Sequence, residues 1–476
     1  MQQQSLARRA KSTLIGDRAF YRTVLMIVIP IIIQNAITNF VSLLDNIMVG
    51  QVGTVPMSGV SIVNGLLFVF NLCIFGCSSG AGIFTAQYHG SGDQEGVRNT
   101  FRFKILSCIA LALVGIGIFY FGGQGLIGLY LTGEGDPQEA AGAMAYGLSY
   151  LQMMLLGLIP FALCNAYSST LRETGETMVP MLGGIAAVLG NLGLNYVLIF
   201  GKLGLPALGI TGAAVATLLS RVVEFVVAFS YAFRCRTMPL MKHAILRPGM
   251  DMLRKFLRYS APVLINETLW GTGFSMITVI MGHMANSSDL IAAYTLAGNI
   301  DKLMTSGVFG IAAAVSVIVG KEIGTGNLKG VYNIGRALCF TAFAFGIVLG
   351  LAEYTMFVTL MRPFVMPLFS LSAVAERLCS VMLMCYACAI PLHSFSTTMV
   401  VGVLRGGGDV NASLVIDNFP LWCGTLPVMC LLGLVLKVPN EVFCLCLMIE
   451  YIIKSPIGLY RLHSGKWIHD ITRIDE

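Results

Sequence analysis

Charge is what this chain has least of. Lys, Arg, Asp and Glu make up 11% of its 476 residues, less than half the share of about 25% found in ordinary soluble domains. Tryptophan occurs three times and histidine six. So few charges cannot cover a water-facing surface on a chain of this length. A nucleic-acid interface is excluded as well: the net charge of +6 is scattered between apolar runs and nowhere joins a basic patch to interleaved aromatics. The sequence contains no HExxH, GxSxG or Walker A segment, the usual marks of metalloprotease, hydrolase and nucleotide-hydrolysing chemistry. No enzymatic activity is expected.

Thirteen cysteines are distributed through the apolar runs. Cys385 and Cys388 form a CxxC, and Cys73 and Cys77 stand one helical turn apart, yet neither pair has a histidine or a second pair at metal-ligand spacing. They read as small apolar packing residues. No metal and no cofactor is expected.

What the chain does have is hydrophobicity. Apolar residues reach 56%, mean hydropathy is +0.79, and glycine is abundant at 53 residues. Apolar stretches of about 20 residues recur along the whole length, each long enough to cross a bilayer. The pattern predicts an all-α membrane protein with twelve spans. Six lie near 22–49, 55–86, 100–122, 140–170, 176–200 and 209–233, and six near 252–284, 288–319, 332–358, 374–403, 409–435 and 440–461. A basic segment with Arg8, Arg9, Lys11, Arg18 and Arg22 precedes the first run, which is too long for a signal-peptide core.

Basic residues set the expected orientation. With the N-terminus inside, 24 of the 30 Lys and Arg fall on the inner side, and only Lys202, Arg362, Arg377 and Lys437 on the outer. Both termini are therefore expected in the cytoplasm, the protein in the inner (plasma) membrane, and the acidic loop 133–140 outside.

The chain is also written twice. "IPIIIQNAITNF" (29–40) parallels "APVLINETLWGT" (261–272), setting Pro30 opposite Pro262 at a shift of 232. "GSGDQEGVRN" (90–99) parallels "GTGNLKGVYN" (324–333) at 234, and "LRETGET" (171–177) parallels "LRGGGDV" (404–410) at 233. Six spans per copy is an even number, so both copies enter the membrane in the same direction. Two homologous six-helix bundles, related by a pseudo-twofold axis along the membrane normal, are expected. Their limits are 1–233 and 252–476, joined by the basic segment 234–251. Such a pair of bundles with a cavity opened alternately to each side is a transporter architecture.

Within the apolar runs an ionisable residue costs about 2.5–3.5 kcal/mol on insertion scales and is a functional hypothesis by default. Asp45 lies about 21 residues along the first run, roughly 31 Å at the helical rise, which places it near the outer interface or in a water-filled outer cavity. Glu267 lies on the seventh helix, and Asp301 with Lys302 on the eighth; Lys302 can neutralise either acid. Arg221 and Glu224, three apart, are expected to pair. His393 reads as a hydrogen-bonded packing residue. Asp417 and Trp422 on the eleventh helix either line the cavity or mark an interface. Glu450, Lys454 and Arg461 read as anchors near the cytoplasmic end.

The repeated segments carry a more specific likeness. "LDNIMVGQVG", "AQYHGSGD", "LRETGETMVPM", "NYVLIFGKLGLPALGITGAAVAT", "NETLWGTG" and "RLHSGKW" together resemble the multidrug and toxic compound extrusion (MATE) transporters, bacterial branch, over nearly the whole chain. That resemblance implies a cation-coupled antiporter exporting amphipathic, often cationic, organic compounds by alternating access. Its partners would be a small organic substrate, a coupling proton or sodium ion and the lipid bilayer, and a monomer is expected. It further implies a first-half cation site at Asp45, Asn191, Asn195 and Thr217, and a substrate or coupling role for Glu267. Two departures matter. The second acid of the family's site is here an amide, Asn195, and the tenth helix carries no acid past its first turn to pair with Glu267. With one carboxylate in the first-half site, a single proton suffices to neutralise it, so proton coupling is expected over sodium. The alternative reading is a lipid-linked saccharide flippase of the related superfamily. Such a flippase would need basic residues deep in the spans, where only Lys302 and Arg221 are read.

Overall fold

The structure, a computed structural model, describes residues 18–131, 137–234, 250–366 and 372–472. Among these there is no strand, only one isolated bridge between Gly408 and Ile468. Twelve long helices follow one another. They are α1 (Arg18–Gly50), α2 (Thr54–Ser91), α3 (Gln94–Leu131), α4 (Pro137–Glu173), α5 (Met178–Phe200) and α6 (Gly209–Arg234). They continue as α7 (Met250–Gly282), α8 (Ser287–Gly324), α9 (Leu328–Pro363), α10 (Ala373–Leu404), α11 (Val410–Val435) and α12 (Asn440–Ser464). All but α1 are long and apolar enough to cross a membrane, and α1 carries the shorter apolar stretch Val24–Thr38. Each of the twelve expected spans falls on one of these helices. Of the expected loops, 132–136 and 235–249 lie outside the described residues.

Large apolar side chains such as Leu113, Phe121, Leu189, Val226, Leu351 and Val415 are exposed, while others fill the interior. Helices apolar on every side belong in hydrocarbon, and this is a multi-pass membrane protein.

Several helices outrun the apolar stretches that announce them. The second and third spans read as ending at 86 and resuming at 100, yet α2 and α3 are separated by two residues. Hydrogen bonding within a helix does not stop where hydrophobicity does; here a glycine stops it. Gly92, with φ 82°, is the left-handed residue of a C-terminal cap in which its N–H bonds His89 O (3.3 Å) and that of Asp93 bonds Tyr88 O (2.9 Å). Gly175 closes α4 in the same way, φ 96°, through bonds to Arg172 O (3.1 Å) and, from Glu176, to Leu171 O (2.8 Å). The repeat reproduces both caps: Gly326 has φ 82° and Gly408 φ 88°, the latter with the matching bonds from Gly408 to Arg405 O and Asp409 to Leu404 O, both 2.9 Å. The two written copies are therefore two copies of the same chain reversals. A Cβ at Gly175 would meet nothing within 4 Å, so Gly175→Ala isolates the backbone strain. It is expected to destabilise the protein by about 1–2 kcal/mol, read as a lowered unfolding temperature in detergent; an unchanged temperature would refute the strained cap.

By internal packing the chain forms two compact units. The first comprises Ile33–Thr85 and Gln94–Leu264, the second Met1–Ile32, Ala86–Asp93 and Ile265–Glu476. The divisions within α1 and α7 fall just past Pro30 and Pro262, where the ring removes a helical hydrogen bond. The first unit is centred on Phe70, Phe101, Ile105, Leu151 and Tyr167. The second has two clusters, one around Val315, Leu338, Met399 and Trp467, the other around Met281, Met382, Leu383 and Phe443. The segment after α12 is part of that core: Trp467 is fully buried, and Gln87 bonds His469 O (3.1 Å) and Ile471 N (2.9 Å). In α10 the helix widens to π-type hydrogen bonding over Thr398–Leu404, directly before Arg405. Such widened turns are frequent at functional sites.

Candidate functional site

In the first unit, α1, α5 and α6 bring four polar side chains together. Asn191 and Asn195 are one turn apart on α5 and so share a face. Asn195 Nδ2 donates to Asp45 Oδ1 at 2.5 Å. In the amide orientation that satisfies both of its ends, Asn191 donates to Asp45 Oδ1 and Oδ2 (3.0 and 2.8 Å) and accepts from the Thr217 backbone N–H (3.2 Å). The Thr217 hydroxyl donates to Ala213 O at 3.0 Å. Asp45, Asn191, Asn195 and Thr217 thus form one cluster, with a single carboxylate surrounded by amides and a hydroxyl. Asn195 Oδ1 is buried and has no hydrogen-bond partner among the described residues. A buried acceptor left unpaired costs about 1–3 kcal/mol, and this oxygen can accept one more donor or cation. Tyr150, which the sequence did not flag, packs beside it and bonds Asn64 Oδ1 (3.4 Å).

The second unit holds a larger buried network. Arg405 Nη1 meets Glu267 Oε1 at 2.5 Å, and its Nη2 lies 3.7 Å from Asp417 Oδ2. Lys454 Nζ bridges Asp417 and Glu450, 2.7 Å from each. Asn266 donates to Asp417 at 2.9 Å and accepts from Asn418, and Arg405 Nε donates to Ser413 (3.3 Å). Arg405 is 1% exposed and Lys454 2%. Three carboxylates face two cations, and one negative charge is uncompensated within the network.

Of the second-half residues read from the sequence, Glu267 and Asp417 enter this network through Arg405. Glu267 is neutralised by Arg405 and not by Lys302. Asp301 and Lys302 stand apart from it: Lys302 is exposed, Asp301 half-buried. Trp422 donates to Leu269 O at 3.2 Å. His393 is buried in an aromatic stack, 4.5 Å from the Tyr451 ring centroid and edge-on to Phe309. Arg221 and Glu224 pair as expected, at 3.4 Å.

Arg405, Lys454 and Glu450 are what sequence reading missed as site residues. Arg405 and Lys454 are, with Lys104, among the 24 basic residues that the sequence puts on the inner side, but all three are buried. Setting them aside leaves 21 against four, and the asymmetry stands. The signal that could have found Arg405 was its place in the repeat, opposite Arg172.

The MatE family profile matches the chain twice, over residues 30–197 and 262–423, one match in each copy. The chain belongs to the MatE family. Among relatives of this MatE chain is the probable multidrug resistance protein NorM of Thermotoga maritima, 24% identical over 452 residues, which cover 94% of this chain and 93% of that one. The probable multidrug resistance protein YoeA of Bacillus subtilis is 26% identical over 417 residues, 86% of each chain. The solved MATE transporter VcmN of Vibrio cholerae superposes with a TM-score of 0.81 at 17% identity, covering 94% of this chain and 98% of its own. An outward-facing multidrug resistance MATE transporter gives 0.80 at 18% identity, over 98% and 100%. The MatE helical fold is shared with both.

Proposed function

We propose that this MatE-family chain is a secondary antiporter that exports amphipathic organic compounds in exchange for protons, acting as a monomer in the inner membrane with both termini in the cytoplasm. The observation that carries the reading is the Asp45 cluster: one carboxylate, held by amides that can donate or accept, beside an oxygen that still lacks a donor. One proton neutralises such a site, and Asn191, Asn195 and Thr217 can hydrogen-bond either form. The loaded site loses its bare charge and can rearrange within the membrane. The description of its relatives as multidrug resistance proteins supports organic compounds as cargo and gives the saccharide-flippase reading no support.

The deciding experiment is efflux from proteoliposomes under separately imposed gradients. Export of a fluorescent organic dye is expected with an inward proton gradient in sodium-free buffer and not with a sodium gradient at matched pH. A protein inert without sodium would overturn the proton reading; no gradient-driven export of any dye would overturn antiport. Reporter fusions at Met1 and Glu476 are both expected to report the cytoplasm, and either one outside would overturn the topology.

A further inference from the structure

Where α9 begins and α12 ends, basic side chains gather at one tyrosine ring. The Tyr332 hydroxyl donates to His463 O at 3.3 Å and so joins the two helix ends. The Arg336 guanidinium lies 5.5 Å over the same ring. Gly465, which ends α12 with a φ of 65°, sits beside that ring, so close that a Cβ on it would come within 3.8 Å. Lys466 follows and is held in place: its N–H donates to Ser464 Oγ and its carbonyl accepts from Arg461 Nη2, both at 3.3 Å. Trp467, the next residue, is fully buried. Lys329 stands three residues before Tyr332 and shares its face of α9.

The chain does not neutralise these cations. Among the described residues Lys329, Arg336 and Lys466 form no ion pair. The acids on the adjoining segments are engaged: Asp409 binds Arg461 at 2.7 Å, Asp470 accepts from Thr472 at 2.6 Å, and Glu322 is buried beside Asn327. What continues from the cluster is apolar. On α9 the face of Lys329, Tyr332 and Arg336 runs on through Phe340, Ile347 and Leu351, all exposed. On α12 the face of His463 runs back through Leu459, Pro456 and Ile452, exposed as well.

A soluble anion would need the cations alone. A cationic cluster set where two exposed apolar faces begin fits a molecule that has both parts. The planar fork of arginine matches phosphate oxygens, and basic clusters at the ends of membrane spans attract anionic headgroups. A zwitterionic headgroup would bring an ammonium too, and the cluster has no free carboxylate to meet it. We propose that the paired ends of α9 and α12 form a binding site for an anionic phospholipid. Arg336, Lys466 and Lys329 take the headgroup phosphate, and the acyl chains lie along Phe340 and Ile347 on one helix and Leu459 and Ile452 on the other. These helix ends lie on the side read above as cytoplasmic, so the leaflet rests on that reading; the binding does not.

The test is native mass spectrometry of the delipidated full-length protein in detergent, titrated with phosphatidylglycerol or with phosphatidylcholine of the same acyl chains. The wild type is expected to bind the first phosphatidylglycerol about tenfold or more tightly than phosphatidylcholine. Arg336→Gln is expected to weaken phosphatidylglycerol about fivefold, the worth of one basic residue at an anionic surface. Adding Lys466→Gln is expected to bring it to the level of phosphatidylcholine, whose binding neither variant changes. Arg102→Gln removes a cation that Glu95 already pairs and is expected to change nothing. All three positions are at least partly exposed, so the variants are expected to fold. Equal binding of the two lipids by the wild type, or a loss in Arg336→Gln no larger than in Arg102→Gln, overturns the site. Inorganic phosphate in large excess is expected to leave the lipid bound; displacement would make the occupant a soluble anion and overturn the lipid reading. Because binding needs no gradient, a failure of antiport in proteoliposomes is distinguishable from a failure here.

Discussion

Replacing Arg405 with glutamine is expected to cost about 3–5 kcal/mol of folding free energy, whereas Glu267→Gln is expected to cost no more than about 1–2 kcal/mol. The asymmetry follows from the charges in the network. Without Arg405, the carboxylates of Glu267, Asp417 and Glu450 are left with Lys454 alone, and at least one stays buried with nothing to oppose it. Without the charge of Glu267, Asp417 and Glu450 still balance Arg405 and Lys454, and a glutamine oxygen still accepts from the Arg405 fork. Unfolding of the two variants in the same detergent, followed by heat or by denaturant, gives the order directly. A Glu267→Gln variant less stable than Arg405→Gln would mean that the network is not held together by its cations.

That network marks where a sequence reading stops. The twelve spans were legible because each is an apolar run of membrane length, and the repeat because its turns are spelled with glycines whose left-handed φ no other residue adopts cheaply. The Asp45 cluster was legible because Asn191 and Asn195 stand one helical turn apart and match a family motif. Arg405 was not. It follows an apolar span at a Gly-rich turn, so it reads as the end of a loop, and its partner Glu267 lies 138 residues earlier; only the packing of α7 against α10 and α11 joins them. The nearer candidate for Glu267 was Lys302 on the eighth helix, but the cation that reaches it comes from the turn after α10. Lys302 is exposed and stands outside that network. Helix ends were misplaced for a related reason: hydropathy reports the membrane, and caps report the helix.

Asp45→Asn is expected to leave the fold intact and to reduce gradient-driven export at least about tenfold, towards the rate of empty liposomes. Asparagine has the shape of aspartate, and the groups around position 45 are amides that can rotate: Asn195 now donates to Oδ1, and Asn191 can turn to accept where it donated. The hydrogen bonds can therefore be remade. What cannot be remade is a group that gains and loses a charge. Equal unfolding temperatures together with lost export would assign Asp45 to coupling; export at the wild-type rate from equal protein would remove it from the mechanism. The reverse substitution in its neighbour sharpens the result. Asn195→Asp sets a second carboxylate within hydrogen-bond distance of the first, and two like charges so close resist joint ionisation. One proton then leaves the site with a residual negative charge, which a second cation can neutralise. Export by Asn195→Asp is expected to rise when sodium is added, while the wild type stays indifferent to it. A wild type stimulated by sodium to the same extent would mean that the lone carboxylate already works with a metal cation, and that the missing acid at Asn195 is not what selects the proton.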